Sequence, residues 1–335
     1  MTQIFKNAKS WLPGLIVSVV CIALILYFVN PTDLIEALRG ANLVWLITSF
    51  LVGMTWLAVR GVVWRTLLRE KAPYIPVFLT INEGYLLNNF LPLRLGEFGR
   101  AFLLSRKSDL TFMEILPTIV LERVLDLAFS AAILLGAAPF VVDVPLALEQ
   151  AAYVASGLVV IGLFALYLLA RNHIWALGVF DNISQRWLVL QRFRGILKSL
   201  FEGLAILTDG WLFLRVLGLM TINWAIGIVQ FFVVLMTFFP NAQVAWAMFV
   251  LGAAAFGGAI PALPGGVGTF ESLMGGAVTL VTGDPAKSLA AAILAHLLSY
   301  ILSGVIGIYA LSREGQTLSG VYRELVQFRQ SFQKG

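Results

Sequence analysis

The thirteen residues from Asn88 to Arg100 restrict the folds open to this chain more than any other stretch. They read Asn-Asn-Phe-Leu-Pro-Leu-Arg-Leu-Gly-Glu-Phe-Gly-Arg and sit between apolar segments. Pro92 breaks a helix and lacks a backbone donor, while Gly96 and Gly99 admit close approach of backbone or ligand. Arg94, Glu97 and Arg100 add charge. The whole chain is 59% hydrophobic and 12% charged, against about 25% charged in soluble domains, so it reads as an all-α polytopic membrane protein. In hydrocarbon a central Arg costs about 2.5–3.5 kcal/mol, and irregular backbone survives only inside protein or along a water-filled cavity. The stretch is therefore expected to form a re-entrant helical hairpin lining a cavity. Its candidate substrate-binding residues are Asn88, Asn89, Pro92, Arg94, Gly96, Glu97 and Arg100.

A second stretch has the same spacing. In Leu263 to Glu271, Leu-Pro-Gly-Gly-Val-Gly-Thr-Phe-Glu, the residues Pro264, Val267, Gly268 and Phe270 match Pro92, Leu95, Gly96 and Phe98. Gly/Pro breaks at corresponding points of two halves are the pattern of a transporter built from repeats. Pro264, Gly265, Gly266, Gly268 and Glu271 complete the second candidate set. Their turn either presents backbone N–H groups to an anion at a helix N-terminus or is only a tight turn. Between the two stretches lie Glu122, Arg123 and Asp126. On a helix, Glu122 and Asp126 share a face, and Arg123 meets Asp126 at i,i+3. This cluster is either self-neutralising or a charged lining that meets Arg94 or Arg100. Glu97 and Arg100, also at i,i+3, either pin the hairpin or belong to the same lining. Glu83 is a weaker candidate at the hairpin entrance.

Basic residues set the expected topology, since cytoplasmic loops carry the excess of Lys and Arg. Trp11–Val29 is expected to be a retained first span with its N-terminus inside, and Pro31–Asn42 a short polar connection outside. The span from Leu43 to about Leu68 ends in Arg60, Arg65, Arg69 and Lys71, a basic inside loop. A hairpin follows, then an apolar stretch over Thr111–Val142, an outside loop Asp143–Gln150 and a span Ala151–Ala170. Arg171–Arg215 contains an amphipathic interfacial or linker helix from Trp187 to Leu204. Trp211–Phe239, a second hairpin within Ala245–Thr282, and Ala286–Leu311 complete the set. The expected single membrane domain has about six full spans plus two re-entrant hairpins. Residues 43–142 and 211–311 form an inverted-topology repeat, joined by 143–210, and a tail over 312–335 carries a short surface helix at Val321–Phe332. Both termini then lie on the cytoplasmic side of the cell's inner membrane.

Net charge is +5, but no basic run is interleaved with exposed aromatics, which argues against nucleic acid. The single cysteine, Cys21, and two histidines, His173 and His296, form no zinc-ligand pattern. Both histidines are expected to be structural. No phosphate-loop or hydrolase motif is present, so neither cofactor nor metal is expected, and the chain is expected not to be an enzyme. Gly275-Gly276 permits self-association.

With these residues in view, the chain resembles the lysylphosphatidylglycerol synthase transmembrane family, also called flippase-like integral membrane proteins. The resemblance is carried by Ile35–Asn42, by Asn88–Arg100 with its Pro-x-Arg-x-Gly-Glu core, by Glu122-Arg123-x-x-Asp126 and by Pro261–Glu271. It implies movement of lipids or polyprenyl-linked sugars between leaflets. Membrane lipids, either an anionic phospholipid or a polyprenyl-phosphate-linked substrate, are then the expected partners. Some members carry a soluble domain that transfers an amino acid from tRNA to phosphatidylglycerol; the short tail here implies the translocating part. A membrane-embedded lipid-modifying enzyme, a non-transporting partner of such an enzyme and a small-solute transporter are the competing readings.

Overall fold

The computed structural model describes residues 31–91, 95–141, 171–184, 208–259 and 264–334, with isolated helical positions at 157, 161, 164, 167 and 168. The expected first span, the loop 143–150, most of the span 151–170 and the amphipathic stretch 187–204 lie outside the described residues, as do Pro92 and Arg94.

All regular structure among the described residues is helical. In chain order the α-helices are α1 (Pro31–Arg39), α2 (Leu43–Leu67), α3 (Tyr74–Phe90), α4 (Gly96–Ser105), α5 (Phe112–Ala137) and α6 (His173–Ser184). They continue with α7 (Gly210–Met236), α8 (Val244–Ala259), α9 (Thr269–Thr282), α10 (Pro285–Arg313) and α11 (Leu318–Lys334). Local chemistry sets several starts. Asn42 caps α2 through Val44 N–H, Asp209 caps α7 through Leu212 N–H, and Asp284 caps α10 through Lys287 N–H, each satisfying an otherwise orphaned donor. Thr111 and Glu114 form a reciprocal capping box on α5.

Helices α2, α7 and α10, with 25, 27 and 29 residues, are long and apolar enough to cross a membrane; about 20 residues suffice. Helix α5 has 26 residues but carries the Glu122–Asp126 charges. Helices α4, α8 and α9, with 10, 16 and 14 residues, are shorter than a span.

The helices pair in a regular way. α2 packs on α7, α3 on α10, and α8 on α5. Within each half α3 packs on α4 and α4 on α5, as α8 packs on α9 and α9 on α10. Exchanging α2–α5 for α7–α10 leaves this pattern unchanged. The α3–α10 and α8–α5 contacts rest on glycine. A Cβ on Gly307 of α10 would stand 2.8 Å from the Asn82 carbonyl of α3, and one on Gly252 of α8 would stand 2.7 Å from Cβ and 3.0 Å from Cα of Leu134 on α5.

Three expectations change. Pro31–Asn42 is not a plain polar connection, because α1 occupies most of it and packs on α10. Pro31 opens the helix, Asp33 and Arg39 suit its two ends, and Leu34 and Leu38 lie four apart against the core of the second half. The tail helix is docked as well as amphipathic. Val321 is 1% exposed and packs with Leu86, Leu87, Leu103 and Leu311, and Glu324 pairs with Arg106. The Gly275-Gly276 face is half used internally, since Gly275 meets Leu289 and Ala292 of α10 while Gly276 faces open space.

Gly252→Ala is expected to destabilise the protein by about 1–3 kcal/mol, the usual cost of overpacking, because its Cβ would meet backbone. Gly276→Ala, at a helical position with open space, is expected to leave stability unchanged or raise it by up to about 1 kcal/mol. Thermal unfolding of the two variants in one detergent checks the contrast.

Candidate functional site

Six charged side chains from α2, α4 and α5 meet inside the first half. Glu122 of α5 lies at the centre with no exposed surface. Arg100 of α4 forks onto its carboxylate, Nη1 to Oε1 at 3.2 Å and Nη2 to Oε2 at 2.9 Å. Arg60 of α2 donates to Oε1 at 2.6 Å, and Arg123 donates to the same oxygen at 2.5 Å. Arg60 also holds Asp126 through both of its Nη atoms, with Nη1 to Oδ1 at 2.8 Å. Glu97 of α4 lies 3.7 Å from both Arg100 and Arg123, and Arg123 stands 3.4 Å from Asp126. Three guanidinium groups thus face three carboxylates, and their formal charges cancel.

The surroundings hold the arginines in place. The Arg100 guanidinium lies 4.1 Å above the Trp64 ring, an attraction worth about 2 kcal/mol when desolvated. Trp64 in turn donates to Thr118 Oγ1 at 3.1 Å. Gly84 of α3 leaves room for the Arg100 stem. Arg60 reaches Asn223 Oδ1 of α7 at 3.4 Å, and Asn223 donates to the Trp56 carbonyl at 3.0 Å. The network is graded in exposure. The side chains of Arg60, Arg100 and Glu122 are 2%, 0% and 0% exposed, whereas Arg123, Asp126 and Glu97 are 29%, 19% and 17% exposed. One side is dry and the other is partly exposed.

A different pair occupies the second half. Glu271 of α9 places Oε1 2.5 Å from His296 Nδ1, while its Oε2 accepts the Gly268 N–H at 2.8 Å. His296 Nε2 lies 3.0 Å from the Gly265 carbonyl. Gly265, Gly266 and Gly268 adopt φ of 74°, 76° and 90°, values that residues with a side chain rarely take. A third cluster joins Lys107 to Glu83 and to Glu314, each at 2.6 Å.

The expected residues separate accordingly. Glu97, Arg100, Glu122, Arg123 and Asp126 come together as one lining. Asn88 accepts the Gly96 N–H at 2.8 Å and so helps start α4, and Asn89 ties α3 to Ser303 of α10 at 3.5 Å. Gly96 packs against Gly84 at the α3–α4 crossing. Pro264, Gly265, Gly266 and Gly268 form the turn before α9, but the Gly268 N–H already serves Glu271. Glu271 is paired with His296.

Two central residues escaped the sequence reading. Arg60 was assigned to a basic loop; it lies inside α2, seven residues before the helix ends at Leu67. Its signal was a single charge within a long apolar helical run. His296, expected to pack structurally, directly contacts Glu271.

The fold and the buried charges define a helical membrane protein with an ionic site enclosed among its long helices. The chain belongs to the lysylphosphatidylglycerol synthase TM region family, whose model matches residues 11–307. It is similar to the glycosyltransferase AglD of Haloferax volcanii, 24% identical over 358 residues, covering 94% of this chain and 56% of that protein. It is likewise similar to a UPF0104 membrane protein of Methanothermobacter thermautotrophicus, 21% identical over 332 residues, covering 91% of this chain and 96% of the relative. The chain thus spans a little over half the length of the first relative and nearly all of the second. No solved structure matches.

Removing one partner from a buried ion pair costs about 3–5 kcal/mol, because the other charge is left uncompensated. Glu122→Ala takes from the fully buried Arg100 its only close carboxylate and leaves the network one negative charge short, and is expected to destabilise the protein by about that much. Lys71→Ala, at a pair 3.9 Å apart with both side chains largely exposed, is expected to change stability by less than about 0.5 kcal/mol. Chemical denaturation in detergent distinguishes the two.

Proposed function

We propose that this protein carries an anionic lipid headgroup across the membrane, holding its phosphate at the Arg60–Arg100–Arg123 network without chemical change. The observation that carries the reading is a neutral six-member network that is dry on one side and partly exposed on the other. A phosphate crosses hydrocarbon slowly because its charge must leave water. At this network it exchanges places with a carboxylate: Arg123, already partly exposed, releases Glu97 or Asp126 and forks onto the phosphate oxygens. Arg60 and Arg100 stay held by Glu122 on the dry side, and the carboxylate that is not released supplies the second negative charge. Arg94, two residues before α4 in sequence, is a further candidate contact.

The matched helix pairing of the two halves, together with the short helices α4, α8 and α9, supports two re-entrant hairpins within inverted repeats. The excess of Arg and Lys in the loops after α2 and α4 supports a cytoplasmic location for them and for both termini. The partners in this reading are membrane lipids. The relative named as a glycosyltransferase keeps sugar-bearing lipid headgroups among the cargoes. It also favours one rival, an enzyme acting on lipid headgroups, which would return a chemically altered lipid.

The test is headgroup translocation in reconstituted vesicles containing labelled phosphatidylglycerol, aminoacyl-phosphatidylglycerol or polyprenyl-phosphate sugar. One class is expected to move in the wild type. Its rate should fall at least tenfold in Arg123→Gln and Arg94→Ala. Arg215→Gln, at a surface pair with Glu70, should leave it unchanged. Equal rates in folded wild type and Arg123→Gln would remove the network from the mechanism, and a chemically altered lipid would favour the enzyme.

A further inference from the structure

The contacts of His296 set a proton count. Both ring nitrogens face acceptors, Nδ1 the Glu271 carboxyl at 2.5 Å and Nε2 the Gly265 carbonyl at 3.0 Å. A neutral imidazole has only one N–H. Neutral histidine beside ionised Glu271 therefore satisfies one of these contacts and leaves two acceptors opposed at the other. Both hydrogen bonds form together only when the pair holds one more proton, as imidazolium with carboxylate or as neutral imidazole with carboxylic acid. The Gly268 N–H on the other Glu271 oxygen, at 2.8 Å, favours imidazolium with carboxylate among these two protonated forms. The ring lies between Phe270 and Tyr300, with centroids 4.5 and 4.4 Å away, where aromatic faces attract a cation.

We propose that Glu271 and His296 form a proton-binding site whose occupancy latches the Pro264–Gly268 turn and drives the lipid movement proposed above; this coupling rests on that reading. When the proton leaves for water, imidazolium becomes imidazole and one of the two hydrogen bonds breaks. Either α9 is freed from α10, or the turn is. The turn packs on α3, and α3 supplies Gly84 against the Arg100 stem. Loss of the proton is thus transmitted to the arginine network through one packed helix.

The surroundings add no competing charge among the described residues. From α9 the ring meets Glu271, and from α10 it meets Tyr300, whose buried hydroxyl has no hydrogen-bond partner. Helix α8 contains no ionisable residue. The acid of α3, Glu83, is held by Lys107. The site also takes a matched place in the fold. His296 is the twelfth residue of α10 and Arg123 the twelfth of α5, and each faces a glutamate in the first turn of the neighbouring short helix, Glu271 in α9 and Glu97 in α4. One half presents a permanent cation at this position, the other a cation that can be discharged.

The test uses the whole chain carrying His173→Asn, which leaves His296 as its only histidine. In this protein, 15N spectra of the ring at pH 7 are expected to show both nitrogens protonated. Glu271→Gln replaces the acid by an amide that donates to Nδ1 without a proton, so the turn stays held and the ring should show hydrogen only on Nε2. A neutral ring in the parent protein, or a ring unchanged by Glu271→Gln, overturns the proton site whether or not any lipid moves. In vesicles that move lipid, an imposed gradient of one pH unit should change the wild-type rate by up to about tenfold and leave Glu271→Gln unaffected. A wild-type rate indifferent to the gradient overturns the coupling, even with lipid movement established.

Discussion

Glu122 is the contact on which the first half of this molecule depends. Its carboxylate has no access to solvent and receives arginines from three helices. Such an arrangement gives no simple gain in stability, because taking several ions out of water costs nearly what their attraction returns. Its effect is specificity. Helices α2, α4 and α5 can assemble in few ways that leave no charge stranded, so the ionic register fixes positions that apolar packing against lipid would leave free.

The two halves use one scaffold for different chemistry. Gly307 and Gly252 make equivalent cross-half approaches, α10 on α3 and α8 on α5, and α2 meets α7 along the centre. In bilayers, where apolar surface gains little by leaving lipid, close packing at small residues does much of the work of association. On that common frame the first half places arginines and acids. The second places a histidine, a glutamate and a left-handed glycine turn.

Much of this was legible in the sequence because it rests on local rules. The limits of α3, Tyr74–Phe90, follow from its apolar run and the proline beyond it, and α10 follows from Asp284-Pro285 at its start. The meeting of Arg100 with Glu122 was one of two readings of the Glu122–Asp126 cluster, reached by asking where charge in an apolar chain finds its counter-charge. Arg60 was not reached, because an arginine a few residues upstream of Arg65 and Arg69 looks like the beginning of a basic loop. Only the length of α2 shows that it is still inside the helix. The partner of Glu271 was open for a related reason: sign alone does not choose one, whereas distance matches it to His296, 25 residues on. Local pattern identifies which residues carry chemistry; which of them meet is decided by the crossing of helices distant in sequence.

The docking of α11 has a mechanical meaning. A helix of 17 residues is a rod about 25 Å long, seated near its start by Val321 and Leu325 and tethered to α4 through Glu324 and Arg106. Helix α4 carries both Glu97 and Arg100. The rod is therefore a lever whose short arm rests on the helix that holds two members of the charged network. A load on its far end, whether from a neighbouring protein or from the membrane surface, would be felt as torque at those two side chains.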